Sequence, residues 1–429
     1  MSTDMNAESK AVTRRALHNP ARPAVTGPNR LRFAGTTWRR PEIRLSWLSR
    51  LSDGDLGPLP VIIGLAVIWV FFAYADPHFL TARNLSNLIL QMAVLGTISL
   101  GLVTVLVMGE IDLSVAAVSG FCGGIFAIGL QHGWPAPVMI VVALLAGAVI
   151  GLLQGSIATL LGIPSFVVTL TGLLVWQGLL LLVIGDQGDV AISDPFIRSI
   201  ANSYLTPASG WALGAVLVAG FVAMTAAKVR AERSNPGHGL SLAAGAWRVS
   251  MVVVAVVVTV AVLNSYFGVP WLLVILVSLT LLATLVMSQT PLGRHIYAIG
   301  GNRDAARRAG IKVLGVVVLV FVIGATLASF AGILDASRQF SVSNGAGGGD
   351  LELNAIAAVV IGGTSLFGGR GKPYHALLGA LVVGSVSNGL DLLGQSAGVQ
   401  DAATGLILLV AVSLDAFTRR RRIAAGRAG

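Results

Sequence analysis

Charged side chains are scarce in this chain. Asp, Glu, Lys and Arg make up 11% of its 429 residues, whereas hydrophobic residues make up 55%, and the mean hydropathy is +0.82. Soluble domains carry about 25% charged residues. The composition therefore excludes an ordinary soluble enzyme and predicts a protein that lies mainly in lipid.

Cysteine and the usual catalytic motifs are also missing. The single Cys122 cannot form a disulfide within the chain, and the sequence contains no HExxH, no Cys/His metal spacing and no GxSxG. GGRGKP at 368–373 lacks the glycine spacing and the Ser/Thr of a Walker A loop. We therefore expect no enzyme activity, no metal and no cofactor in this chain.

Ionisable residues are absent from the middle of every long apolar run, and the six histidines lie in loops, tails or run edges. A proton relay across the membrane therefore has no obvious members. Hydropathy predicts an all-α, polytopic membrane protein with about 12 transmembrane helices. The predicted spans are residues 58–74, 88–108, 113–131, 136–161, 164–184, 211–228, 249–267, 269–288, 313–337, 355–368, 374–392 and 400–416.

The basic residues follow this topology. If the N-terminus lies inside, 26 of the 29 Lys and Arg residues fall on the cytoplasmic side, and only Arg83, Arg198 and Arg338 do not. The positive-inside rule thus predicts that both termini are cytoplasmic. It also explains the net charge of +10 without nucleic acid, because the basic residues flank apolar runs.

The chain divides into three parts at the sequence level. Residues 1–57 form a polar, basic tail with no signal-peptide core, which we expect to be disordered and cytoplasmic. Residues 58–417 form the membrane domain. Residues 418–429 form a second basic cytoplasmic tail, whose arginines suit anionic headgroups.

Two segments that are 240 residues apart are alike. Gly109–Ala117 (GEIDLSVAA) and Gly349–Ala357 (GDLELNAIA) share glycine, acid, aliphatic, acid, leucine and a small polar residue. The predicted topology places them on opposite sides of the membrane, as an inverted repeat of spans two to five and nine to twelve requires. Chance similarity between apolar sequences is the alternative.

Two groups of polar residues are candidates for a role in or near the membrane. Asp112 and Glu352 stand where spans begin, so we predict that they are structural helix caps, with ligand binding as the alternative. Neutral polar residues could line a path for an uncharged hydrophilic solute, or hydrogen-bond between helices. The candidates for this path are Asn87, Gln91, Thr169 and Gln177.

The loop at residues 290–312 puts a polar, basic, helix-forming segment between two apolar spans. Glycines can end the preceding structure, Asn302 can cap the run Asp304–Arg308, and small alanines permit close approach of a partner. The arginines can pair with acids on that partner, or can simply enforce orientation. The candidate docking residues are Gly293, Gly300, Gly301, Asn302, Arg303, Ala305, Ala306, Arg308 and Gly310, with Arg307 and Ala309 beside them.

From about Phe79 to Asp415 the chain resembles the ribose- and xylose-type permease subunits of bacterial ABC importers for monosaccharides. The matching stretches are FLTARNLSNLILQ, MGEIDLSVAAVSG, IPSFVVTLTGLLVWQGL, TPLGRHIYAIGGNRDAARRAGIKV and LELNAIAAVVIGGTSLFGGRG. The extra in-out pair of spans within residues 185–267 is more like the xylose-type permeases.

The resemblance implies a homodimer in the bacterial inner membrane and two kinds of partner. A cytoplasmic sugar-type ATPase would bind ATP and Mg, and a periplasmic or lipid-anchored protein would bind the sugar. Gly293 to Gly310 would be the coupling helix that fits the ATPase cleft. A secondary sugar transporter is the alternative, and a membrane scaffold would need neither the polar span residues nor the repeat. Selectivity for one monosaccharide is expected to reside largely in the binding protein.

Overall fold

A computed structural model describes residues 59–234 and 241–424 of the chain. The predicted disordered tail at 1–57 lies outside these residues. The second predicted tail begins within the last helix, which continues to Ala424 and includes the run of four arginines.

Each of the predicted spans corresponds to a helix. These helices are α1 (Leu59–Ala75), α2 (Ala82–Val107), α3 (Val115–Gln131), α4 (Ala136–Leu160), α5 (Ser165–Ile184), α7 (Pro207–Ser234), α8 (Leu242–Asn264), α9 (Trp271–Gln289), α12 (Val313–Gln339), α13 (Asp350–Ile361), α14 (Pro373–Leu392) and α15 (Ala397–Ala424). The all-α, polytopic fold class is therefore confirmed.

Short elements lie at the two ends of the bundle. Among the described residues, the short α-helices are α6 (Pro195–Asn202), α10 (Pro291–Gly301) and α11 (Arg303–Arg308), and a single 3-10 turn covers Gly185–Gln187. The short strands are β1 (Asp189–Ala191), β2 (Tyr204–Leu205), β3 (Val269–Pro270) and β4 (Ser341–Ser343). The strands form two antiparallel pairs, β1 with β4 and β2 with β3. We call the end that carries α10 and α11 the coupling end, and the end that carries the strand pairs the far end.

The helices differ in whether they can cross a bilayer. In the described part of the chain, eight are long and apolar enough to do so, namely α2, α4, α5, α7, α8, α9, α12 and α14. α1, α3 and the apolar part of α15 are shorter. α13 has only 12 residues, or about 18 Å at the helical rise, against a hydrocarbon core of about 30 Å.

The predicted full span at 355–368 is therefore corrected to a half-length helix. Its helix begins at Asp350 and ends at Ile361, because Gly363 has a φ of 103°, which a right-handed helix cannot contain. Residues 344–349 precede it, and Gly347 packs tightly on the α3 backbone at Ala116 and Gly120. The chain thus enters the interior before α13 begins.

α12 is the central helix of the bundle. It packs most extensively on α4 and also contacts α2 and α3. Gly147, Gly151 and Gly155 form a stripe on α4, and a side chain at any of them would collide with α12, at Gly151 with the Phe321 carbonyl. Small residues at this spacing let two backbones approach closely, which is how helices pack in lipid without a hydrophobic driving force.

The two halves of the chain repeat one helix order. A long helix, a short helix and two long helices occur as α2–α5 and again as α12–α15. The short helices point toward opposite ends. α3 ends near the far end, where the Gln131 amide donates to Gln187 at 2.8 Å, whereas the segment after α13 reaches Val107 at the coupling end, through Gly369 N–H at 2.8 Å. This opposite direction is what an inverted repeat predicts.

Candidate functional site

The coupling end is built around the short helix α11. As predicted, Asn302 caps it: the side-chain oxygen accepts a hydrogen bond from Ala305 N–H at 2.9 Å. At its other end Gly310 has a φ of 84°, and the amides of Gly310 and Ile311 donate back to Arg307 and Ala306. This pairing is the Schellman arrangement, which favours glycine at the left-handed position. Both ends of α11 are therefore fixed locally.

The preceding helix α10 holds α11 against the bundle. A Cβ on Gly300 would overlap the Val107 carbonyl, and one on Gly293 would overlap the Met287 carbonyl. Tyr297 donates its hydroxyl hydrogen to the Gly371 carbonyl at 2.6 Å. Burial, with a smaller contribution from neighbouring Tyr374, raises the pKa of Tyr297, so the hydroxyl keeps its proton at neutral pH.

Arg303 forms an ion pair inside the chain. Its guanidinium contacts the Glu110 carboxylate at 2.6 Å, and the Glu110 side chain is 12% exposed. The sequence leaves Arg303 either to pair with acids on a partner or to enforce orientation, and the structure gives it an ion-pair partner 193 residues away in the same chain. Arg307 and Arg308 remain exposed. Their charges are therefore available at the surface.

The alanines of α11 and its C-cap do not share one environment. Ala306 is 4% exposed and belongs to the main hydrophobic core, whereas Ala305 and Ala309 are exposed. Successive helical residues point about 100° apart, so one turn of helix seated on the bundle must bury some side chains and expose others. The prediction that Ala306 faces a partner is wrong, whereas Ala305, another of the candidate residues, is exposed.

A polar cluster lies where α3 begins. Asp112 is 1% exposed, and its carboxylate accepts hydrogen bonds from Ser114 N–H at 2.9 Å and Ser114 Oγ at 2.7 Å. Gln154 on α4 donates to the same Ser114 hydroxyl at 2.9 Å. Asp112 thus stabilises the turn that leads into α3, as an acid at a helix N-terminus does.

Glu352 caps α3 rather than its own helix. One carboxylate oxygen accepts from Ala116 N–H at 2.9 Å, while the N-cap of α13 is Gly349, without a side-chain hydrogen bond. The prediction that the two acid-bearing segments lie on opposite sides of the membrane is therefore wrong. The two short helices begin side by side in the interior, because both halves of the repeat send a segment inward.

The segment between α2 and α3 is tied to α5. Ser165 Oγ accepts from Ile111 N–H at 3.1 Å, and Thr169 Oγ1 accepts from Leu113 N–H at 3.0 Å. Thr169 is fully buried. These bonds satisfy backbone amides that have no helical or sheet partner. In this conformation Thr169 therefore holds the segment before α3 against α5, and its hydroxyl does not face an open path.

The four predicted pathway residues are dispersed. Asn87 and Gln91 lie on α2, the first exposed and the second half-buried, near Asn84, which donates to Asn388 on α14 at 2.7 Å. Gln177 lies on α5 and lines an open cavity of about 290 Å³. Sequence reasoning missed Glu110, Ser165 and the Asn84–Asn388 pair, because each depends on contacts between distant segments.

These contacts join the coupling end to the interior. Residues 107–116 run from the Gly369 contact and the Arg303 ion pair to the Asp112 cluster and the Glu352 cap. The segment after α13 returns to the coupling end through Gly371 and Tyr297. A displacement of α10 and α11 would therefore act on the starts of both short helices.

Comparison with known proteins places this arrangement in a family. Residues 84–412 match the family model described as branched-chain amino acid transport system, permease component. No solved structure matches the chain significantly.

Curated relatives match nearly the whole length of the membrane domain. The chain is 36% identical to the xylose transport system permease protein of Escherichia coli over 378 residues, which are 87% of this chain and 95% of that protein. It is 34% identical to the same-named protein of Haemophilus influenzae over 374 residues, covering 87% and 99%. It is 32% identical to the ribose import permease protein of Bacillus subtilis over 364 residues, covering 85% and 94%.

Proposed function

Because the chain belongs to the family of branched-chain amino acid transport system permease components and is an ABC permease of the xylose and ribose type, we propose that it imports a monosaccharide. The cargo is xylose or a related pentose. A separate sugar-type ATPase drives the transport, and this chain performs no covalent chemistry itself.

The family description names amino acids, whereas the relatives that match over most of their length are named for xylose and ribose. The observation that carries the proposal is that these relatives are 32–36% identical to the chain over 94–99% of their own length. The matched region includes the loop that forms α10 and α11.

The partners follow from the same proposal. We expect two copies of the permease, two ATPase subunits that bind ATP and Mg, and a periplasmic or lipid-anchored protein that delivers the sugar. α11 offers exposed Ala305, Arg307 and Arg308 to the ATPase. The charges steer and orient docking, while the small side chain permits close contact.

In the proposed mechanism, a displacement of α11 by the ATPase is passed on to the starts of the short helices through direct contacts. α11 is attached to Glu110 and to the core through Ala306, so a partner that pushes on α11 also pushes on the segment leading to α3. The same push reaches the segment between α13 and α14 through Tyr297 and Gly371. Displacing the adjacent starts of the two short helices exchanges outward for inward access, which is the alternating access expected of an inverted repeat.

The function is tested by uptake of radiolabelled xylose and ribose in a host that lacks its own uptake systems for both. With a sugar-type ATPase and a sugar-binding protein coexpressed, we expect ATP-dependent uptake. Omitting the ATPase should abolish uptake. Uptake that persists without the ATPase would identify a secondary transporter instead.

Orientation is a separate prediction, with the inner membrane as the location and both termini cytoplasmic. In a Cys122→Ala background, a cysteine at Ser343 should react with an impermeant thiol reagent added outside intact cells. Cysteines at Ser234 and Ala305 should react only after the cells are opened. Labelling of Ser234 from outside would contradict the arrangement of α7 and α8.

A further inference from the structure

An open cavity lies between α5 and the segment that leads into α13. Its volume is about 290 Å³, and it is lined by Gln177, Leu181, Asn344, Gly345, Ala346, Gly348 and Gly349. Small-molecule sites commonly begin at about 300 Å³. The cavity thus has room for one small ligand and little more.

The lining suits a neutral, polyhydroxylated ligand. Within the described residues, the side-chain amides of Gln177 and Asn344 make no hydrogen bond to the chain, and each offers both a donor and an acceptor. Three of the lining residues are glycines, which leave their part of the wall free of side chains, and Leu181 supplies an apolar wall. A hydroxyl-rich ring can bond the two amides and pack an apolar face on Leu181.

The lining argues against an amino acid. None of its residues is ionisable, so an ammonium and a carboxylate would lose hydration without gaining an opposite charge. The family description alone would have suggested an amino acid. The chemistry of the lining therefore agrees with the neutral class of cargo in the proposed function.

The cavity wall also contacts the starts of the two short helices, α3 and α13. Gly347 packs on Ala116 and Gly120 at the start of α3, and α13 begins at Asp350, two residues before the Glu352 cap. A ligand against this wall would contact the segment that joins both short helices. Occupancy and helix displacement are therefore physically linked.

We infer that this cavity is the site that holds the sugar during its passage, with the amides of Gln177 and Asn344 bonding its hydroxyls. The inference rests on the proposed function for the class of cargo. It does not depend on the ATPase, and its test measures binding rather than transport.

The test is protection of a thiol in the cavity. In the purified Cys122→Ala permease, Leu181→Cys should react with a maleimide, and D-xylose should slow that reaction. At about ten times the dissociation constant, labelling should slow about tenfold, because only the unoccupied fraction reacts. L-leucine should not protect. The control Gln187→Cys, at the same end but outside the cavity, should react equally with and without sugar.

A second pair of variants separates recognition from general damage. Adding Gln177→Leu to Leu181→Cys should abolish protection by D-xylose, whereas Gln131→Leu removes an amide outside the cavity and should leave protection intact. Equal labelling with and without D-xylose, or protection by L-leucine alone, would overturn the inference. Failure of ATP-dependent uptake alongside normal protection would instead count against the proposed function alone.

Discussion

Ala305→Trp is expected to abolish sugar uptake while leaving the permease at its normal level in the membrane. Ala305 is exposed on α11, and a surface substitution usually changes folding stability by no more than about 0.5 kcal/mol. A docking surface responds differently, because a bulky ring prevents close contact. A clash of about 3 kcal/mol would weaken binding of the ATPase more than about a hundredfold. Uptake of labelled sugar and copurification of the ATPase are the measurements.

Two variants control this experiment. Ala305→Ser keeps the side chain small and should retain both uptake and the copurifying ATPase. Ala306→Trp places the same ring in the hydrophobic core, which has no space for it. This variant should instead lower the amount of permease in the membrane. Full uptake by Ala305→Trp would remove the docking role of α11.

Glu352→Ala is expected to destabilise the permease, and Glu352→Gln is not. Alanine removes the acceptor of Ala116 N–H and leaves a buried donor without a partner, at a cost of about 1–3 kcal/mol. Glutamine keeps an acceptor oxygen of nearly the same shape. Thermal unfolding of the purified protein and its membrane level should show the difference.

The matched control is Asp350→Ala. Asp350 is an exposed acid at the first position of the same helix, so its removal leaves no buried backbone donor without a partner. It should therefore unfold at a similar temperature to the unchanged protein. If Glu352→Gln is stable but inactive, capping does not explain Glu352, and its charge must act in transport.

The helices could be predicted from the sequence because lipid imposes one local rule. Every backbone amide in the hydrocarbon core must be satisfied, so long apolar runs become helices wherever they occur. α13 is the exception. Its apolar run extends past Gly362 and Gly363, and hydropathy cannot detect a positive φ.

The structure of the coupling end could be predicted in part, because some of its contacts join residues that are close in sequence. Asn302 caps α11 through an amide three residues away, and capping of this kind is written in adjacent residues. The direction in which Ala306 points depends on how α11 sits on the bundle. A sequence pattern of one helical turn cannot decide that.

By itself, then, the sequence determined the class of protein, the positions of the spans other than α13, and the cap of α11, because hydropathy and capping act over a few neighbouring residues. Only the tertiary structure decided that Arg303 pairs with Glu110, that Glu352 caps α3, and that Gln177 faces a cavity. The first two contacts join residues 193 and 236 positions apart. They exist because the two halves of the chain pack against each other, which no local pattern specifies.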